Sequence, residues 1–223
     1  MTTKPPELRA ALHEQFARVG RAVASPRRIE LLELLCQGER SVEALARATD
    51  MTMTNVSQHL QQLSSAGLVD RRRDGTRIYY RAADERVCSL VTDLGAVARA
   101  RLPEVERLAA LYIDGSELLE PLTRTELLRR LGRGDTVVID VRPTEEYESG
   151  HIRGAISMPL DELARRVREL PKTKLIVAYC RGPYCVLAPQ ALTLLTARGF
   201  RARRLEDGLP EWRAAGLPIA SGS

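Results

Sequence analysis

Lys174-Leu175-Ile176-Val177-Ala178-Tyr179-Cys180-Arg181-Gly182-Pro183-Tyr184-Cys185 is the stretch on which the reading of the C-terminal half turns. Lys174 leads into an apolar run, Leu175 to Tyr179, too short for a helix and closed by turn residues, which predicts a buried strand ending at Tyr179. The chain then passes through Gly182-Pro183 into a helical pattern predicted over about Pro183 to Arg198. A side chain at the carboxyl end of a buried parallel strand stands where open α/β sheets bind their ligands. The unpaired N–H groups and positive dipole end of the following helix favour an anion there, as does Arg181. The same field is expected to lower the Cys180 thiol pKa and to receive an anionic substrate. A strand-end cysteine is ordinarily a small core residue; this loop gives it a chemical reading.

Thr136-Val137-Val138-Ile139-Asp140 reads as a second buried strand and Arg201 to Leu205 as a third. Thr125 to Leu131 and Leu160 to Leu170 have helical patterns. Strands alternating with helices predict an α/β parallel sheet covered on both faces. Asp114-Gly115-Ser116, with Pro121, reads as a linker. A chain of 223 residues accommodates two domains, here expected as 1–113 and 114–223.

The N-terminal half is mostly α. Ser25 caps a helix with Pro26 at its first position, and Gly38 ends it. Ser41 caps a short helix over Val42 to Ala48. Thr52 caps a third that runs to about Ala66 and is closed by Gly67. Two short helices across the tight turn Thr49-Asp50-Met51 suggest a helix-turn-helix. On the third helix Val56, Leu60 and Leu63 share one face, leaving Thr54, Gln58, Gln61 and Ser65 on the other. Such side chains can read base edges, or simply face solvent. Asp74-Gly75 signals a two-residue hairpin loop between alternating strands. The hairpin carries Arg71, Arg72, Arg73, Arg77 and Arg81, and a hairpin directly after a recognition helix is a wing. A further helix is expected from about Asp84 to Arg101, with Val87, Leu90, Val91, Leu94 and Val97 in an apolar register suited to a dimer contact.

Composition narrows the classes. With 44% hydrophobic and 28% charged residues the chain is ordinary for a globular protein. No stretch has the apolar length of a membrane span, and no secretory h-region follows Met1, so a cytoplasmic protein without membrane partners is expected. Basic and acidic residues divide evenly between the halves, which leaves the local arginine run as the informative charge. Four cysteines are too few for a disulfide scaffold, and a reducing compartment keeps them as thiols unless they do chemistry. His13, His59 and His151 are scattered, so no metal-ligand set emerges and no cofactor is called for.

Residues 20–82 resemble the ArsR/SmtB family of bacterial repressors through Thr52-Met53-Thr54-Asn55-Val56-Ser57-Gln58-His59-Leu60, Leu63, Ala66-Gly67-Leu68-Val69 and the wing strand Arg77-Ile78-Tyr79-Tyr80. The resemblance implies a homodimer, paired through its first and last helices, on a palindromic double-stranded operator that it leaves when an inducer binds. It makes Thr52, Met53, Thr54, Asn55, Ser57, Gln58 and Gln61, with Arg71, Arg72, Arg73 and Arg77 of the wing, the candidate DNA contacts. Where metalloid-sensing members carry Cys-Val-Cys, this chain has Ser41-Val42-Glu43, which argues against a metal site there.

Residues 121–219 resemble the rhodanese family through Asp140-Val141-Arg142, Glu146-Tyr147, Gly150-His151-Ile152, Gly154-Ala155, Tyr179-Cys180-Arg181 and Gly208-Leu209-Pro210-Glu211-Trp212. The resemblance implies that Cys180 takes sulfane sulfur from a donor such as thiosulfate and becomes a persulfide. Gly182, Pro183, Tyr184 and Val186 then belong to the loop that cradles it, and Arg181 assists the anionic donor. Asp140, Arg142 and Glu146 are expected to hold the loop by buried ion pairs. Cys185 stands where many members carry a second cation, and it adds a candidate resolving thiol. Val186 occupies the position where the related phosphatases need an arginine, which disfavours that chemistry.

Three functions follow as expectations. The first is a transcriptional regulator, a repressor, whose rhodanese domain senses or transfers sulfane sulfur through Cys180. The second is a sulfurtransferase with autoregulatory DNA binding. The third is a thiol-redox repressor acting through Cys36 and Cys88, which read otherwise as two buried small residues.

Overall fold

The computed structural model describes residues 6–112 and 121–222. The predicted linker Asp114-Gly115-Ser116, and with it the expected 113/114 boundary, lies outside the described residues. The chain forms two compact units, Met1–Val91 and Thr92–Ser223.

The first unit runs α1 (Pro6–Val23), α2 (Pro26–Leu35), β1 (Arg40–Ser41), α3 (Val42–Thr49), α4 (Met53–Ser65), β2 (Val69–Asp74) and β3 (Arg77–Ala82), and enters α5 (Glu85–Arg101). Ser41 and Thr52 cap α3 and α4 by accepting from the amides of Ala44 and Asn55. Between them Asp50 takes a left-handed conformation (φ 51°), which makes the tight turn. Leu31, Leu32, Leu45, Val56, Leu60 and Leu63 are sealed in one core. The wing is the antiparallel pair β2–β3, with β1 on the outer side of β3. Its turn sits one residue later than the sequence suggests. Asp74 pairs with Arg77, so Gly75-Thr76 is the loop, and Gly75 (φ 60°) supplies the positive φ at its first position.

Cys36, at the end of α2, and Cys88, in the first turn of α5, form a disulfide with a Cα–Cα distance of 5.6 Å. This corrects the expectation of two separate buried thiols. The bond closes a loop with a sequence separation of 52, which in chain-entropy terms is worth about 4 kcal/mol.

The second unit takes in the rest of α5 and α6 (Pro103–Tyr112). There follow α7 (Arg124–Leu131), β4 (Thr136–Asp140), α8 (Thr144–Ser149), β5 (His151–Ile152), β6 (Ile156–Ser157) and α9 (Leu160–Arg166), which ends in a 3-10 turn at Val167–Glu169. Then come β7 (Leu175–Tyr179), α10 (Leu187–Ala197), β8 (Ala202–Arg204), α11 (Leu209–Ala214) and β9 (Ile219–Ala220). Four parallel strands, ordered β6-β4-β7-β8, make the sheet, and β5 pairs antiparallel with β9. Side chains alternate across β7: Ile176, Ala178 and Cys180 enter the core under α9 and α10, while Val177 and Tyr179 enter the one with Trp212. α10 begins at Leu187, four residues after the expected start. Residues 181–186 are spent arching past Cys180, and Pro189, which has no N–H to give, falls in the first turn.

Candidate functional site

β7 delivers Cys180 to the carboxyl edge of the sheet, 3% exposed, and the half-buried residues Arg181 to Val186 curl beside it. A turn closed by the Cys185 amide on the Gly182 carbonyl shapes the loop. The Cys180 sulfur lies 3.7 Å from the Gly182 carbonyl and 3.6 Å from that of Cys185. The backbone amides of Gly182 and Ala188 act on the Cys180 sulfur, and those of Arg181 and Leu187 on the Cys185 sulfur.

The two thiols are hydrogen-bonded to each other, and this corrects the expected site of thiolate character. Burial pushes Cys180 well above the ordinary thiol range, and the negative Cys185 beside it adds to the rise. Cys185 is pulled down to about 6, first by the hydrogen bond from Cys180 and then by the amides and the Arg181 charge. Backbone amides lower both sulfurs, but at Cys180 burial outweighs them, so the thiolate character expected there falls on its neighbour. Burial decides between them: Cys180 is almost fully enclosed, whereas Cys185 is only partly so. Of the two sulfurs Cys185 therefore has the greater thiolate character and Cys180 the greater burial.

Three arrangements hold the loop. Arg181 grips Glu146, which is nearly fully buried, through Nε (3.0 Å) and Nη2 (2.6 Å). Much of the Arg181 charge is thereby compensated, although its field still reaches Cys185. Beneath the loop Asp140 and Arg142, both 0% exposed, form an ion pair at 2.5 Å. Arg142 also donates to the Gly150 carbonyl (2.7 Å), and the Tyr179 hydroxyl donates to Asp140 while accepting from the Ile152 amide. Burial and the Asp140 charge hold the Tyr179 phenol protonated far above its ordinary range.

The third arrangement, Gly208, carries no chemistry and escapes a reading based on functional groups. A Cβ there would come within 2.3 Å of the Gly182 nitrogen and 2.4 Å of the Arg181 carbonyl carbon. The Leu209 amide then donates to the Cys180 carbonyl. The sequence signal was the Gly208-Leu209-Pro210-Glu211-Trp212 run itself. Within the second unit Tyr184 also accepts a hydrogen bond from Arg99 Nε at 3.0 Å, with the guanidinium 5.1 Å from the ring centre.

In the first unit α4 exposes Thr52, Met53, Thr54, Asn55, Gln58 and Gln61, with Ser57 half-buried. Arg71, Arg72, Arg73 and Arg77 are exposed on the wing. They are not equivalent. Arg72 is held by Glu39 and Asp74 and lies over the Tyr79 ring, and Arg73 donates to the Gly75 carbonyl. Arg71 and Arg77 make no ion pair among the described residues. His59 is half-buried, its Nδ1 enclosed without a hydrogen-bond partner among the described residues. The five-residue register on α5 divides: Val87 and Val91 are buried in the unit's own core, whereas Leu90, Leu94 and Val97 are exposed. α1 carries a second bare stripe, Leu8, Leu12 and Phe16.

Comparison with known proteins bears on both halves. Residues 25–71 match the family model described as bacterial regulatory protein, arsR family, and residues 123–215 the rhodanese-like domain. An HTH-type transcriptional regulator of Mycobacterium tuberculosis, Rv0324, is 50% identical over 215 residues, 96% of this chain and 94% of that protein. A sulfurtransferase of Allochromatium vinosum is 31% identical over 110 residues, 49% of this chain and 94% of its own. Among solved structures, the homodimeric winged helix-turn-helix DNA-binding domain of Mb0332 from Mycobacterium bovis is 49% identical, covering 47% of this chain and 95% of that one, with a TM-score of 0.43.

Proposed function

This chain belongs to the ArsR family of bacterial transcriptional regulators and carries a rhodanese-like domain behind its DNA-binding module, and from that premise we propose that sulfane sulfur taken up at Cys180 sets its affinity for operator DNA. The observation that carries the reading is the pair of hydrogen-bonded thiols, Cys180 and Cys185, set in backbone amides at the carboxyl edge of the sheet. Cys185 takes the Cys180 proton as an anionic donor of the thiosulfate class arrives. The Cys180 thiolate attacks the donor's outer sulfur, the S–S bond of the donor breaks, and sulfite leaves with the electron pair. The persulfide remains between the amides of the loop formed by Gly182, Pro183, Tyr184 and Val186. Cys185, having passed that proton to solvent, then attacks the Cys180 sulfur as a thiolate; the S–S bond of the persulfide breaks and hydrosulfide leaves, giving a Cys180–Cys185 disulfide that a thiol reductant reopens.

DNA recognition falls to the exposed face of α4 and to the wing, in the cytoplasm where operator DNA is found. Gln58→Ala should cost about 1–3 kcal/mol on the preferred operator and relax base preference. Arg71→Ala should weaken binding to all sequences and lower the salt slope by about 1, because its charge is available to phosphate. Binding measured at several salt concentrations separates the two, and unchanged binding in both variants removes this face as the interface.

The bare apolar stripes on α1 and α5 support a homodimer, since residues of this kind at helical spacing need a covering surface. Leu94→Glu should sediment as a monomer and lose roughly 100-fold in operator affinity, because two half-sites are then no longer linked. A wild-type chain that is monomeric at micromolar concentration contradicts this.

The Cys36–Cys88 disulfide favours a second reading, a thiol-redox repressor. Breaking that bond frees the end of α2 from the start of α5 next to the helix-turn-helix core. Operator affinity compared before and after mild reduction tests it.

A further inference from the structure

The arginines below and behind the Cys180 loop are nearly all committed. Arg181 is taken by Glu146, Arg142 by Asp140, Arg203 by Glu126 and the Pro121 carbonyl, and Arg124 by Asp207. Arg204 differs. It is half-buried and makes no side-chain hydrogen bond or ion pair among the described residues. Its position follows from strand register. Arg204 lies opposite Ala178 in the parallel β7–β8 pair, so the two side chains share a sheet face, and Cys180, two residues beyond Ala178, shares it too. Ala202, two residues before Arg204, is buried in the same cluster as Ile176, Ala178 and Cys180. The end of β8 thus aims a cation along the face that ends in the reactive sulfur.

We propose that Arg204 is the donor-binding residue of this site, holding the sulfonate end of a dianionic thiosulfate-class donor while its outer sulfur meets Cys180. The inference rests on the sulfur-transfer reading above and assigns to β8 the part expected of Arg181. Charge supports it. The Cys180 charge reaches the Arg204 guanidinium, Arg99 adds a second positive field, and the exposed Glu206 is the carboxylate whose charge reaches Arg204. Burial depresses the basicity of the guanidinium, as expected of a cation partly withdrawn from water without a bound anion. A donor carrying two negative charges relieves that cost and places its S–S bond beside Cys180. In the transfer the Cys180–sulfur bond forms, the sulfur–sulfite bond breaks, and the leaving sulfite keeps the charge that Arg204 stabilises.

The test uses the full-length chain and two donors, thiosulfate and the uncharged bis(2-hydroxyethyl) trisulfide. In Arg204→Gln the ratio of the thiosulfate to the trisulfide loading rate at Cys180 should fall about tenfold or more, and Arg204→Lys should restore part of it. Equilibrium binding of thiosulfate to Cys180→Ser, which cannot react, should weaken about tenfold on adding Arg204→Gln. An unchanged ratio, equal loss with both donors, or thiosulfate binding to Cys180→Ser that ignores Arg204 overturns the proposal. If wild-type Cys180 accepts sulfur from neither donor, the sulfur-transfer reading fails. An Arg204-dependent thiosulfate site in Cys180→Ser would still stand.

Discussion

Cys180→Ser should abolish sulfur uptake in the second unit, while Cys185→Ser should slow uptake, because the acceptor of the Cys180 proton is gone, and prolong the adduct once it has formed. Exposure of wild-type protein to thiosulfate or polysulfide is expected to add about 32 Da, one sulfur atom, at Cys180. In the wild type the neighbouring thiolate attacks that persulfide and converts it to a disulfide, so the adduct is short-lived. With serine at 185 no thiol within the loop can do so. The same lengthening should appear in the wild type at acid pH, where Cys185 is protonated and ceases to be a nucleophile. Peptide mass spectrometry over a time course reads all three. Sulfur accumulating at an unchanged rate in Cys180→Ser, or mapping to Cys36 or Cys88, removes Cys180 as carrier.

The second large effect is structural. Arg142→Met leaves Asp140 charged at zero exposure without its cation, and removes the donor to the Gly150 carbonyl. Breaking one side of a buried pair of this kind costs about 3–5 kcal/mol. For a domain of this size that lowers Tm by about 12 °C or more. The loss should appear in thermal unfolding followed at Trp212, which is buried in the same unit. Because the tryptophan is the chain's one indole, its fluorescence reports the second unit without a signal of the same kind from the first. A change of under 1 kcal/mol would mean that the pair is dispensable to the loop's support.

The parts of this molecule that were legible from sequence are those encoded locally. Ser41 and Thr52 mark helix starts within three residues of the amides they cap, and Val56, Leu60 and Leu63 state the buried face of α4 by their spacing. The run ending at Tyr179 could only be a strand sealed on both faces, which put Cys180 at the sheet edge. What escaped depends on distance in the chain or on competition between neighbours. The Cys36–Cys88 bond joins residues with a sequence separation of 52, and nothing local distinguishes it from two buried thiols. Which sulfur carries the charge depends on which is more deeply enclosed, a matter of loop shape that Cys180 and Cys185 do not announce. Glu146 is legible as a loop-holding ion-pair partner, but that it pairs with Arg181, 35 residues later, is not local information. Arg204 belongs to the site only through its register with Ala178 across β7 and β8.

If sulfur at Cys180 governs DNA binding, operator affinity of the full-length protein must change when that sulfur is loaded. The measurement compares loaded and unloaded protein at one fixed salt concentration, because affinity without a stated salt has no meaning here. Affinity should change by about tenfold or more on loading, an effect abolished in Cys180→Ser and retained when Cys36 and Cys88 are both serine. Equal affinity in the loaded and unloaded states, or a change that survives in Cys180→Ser and vanishes with Cys36 and Cys88, contradicts it; the latter would place the sensor in the DNA-binding unit.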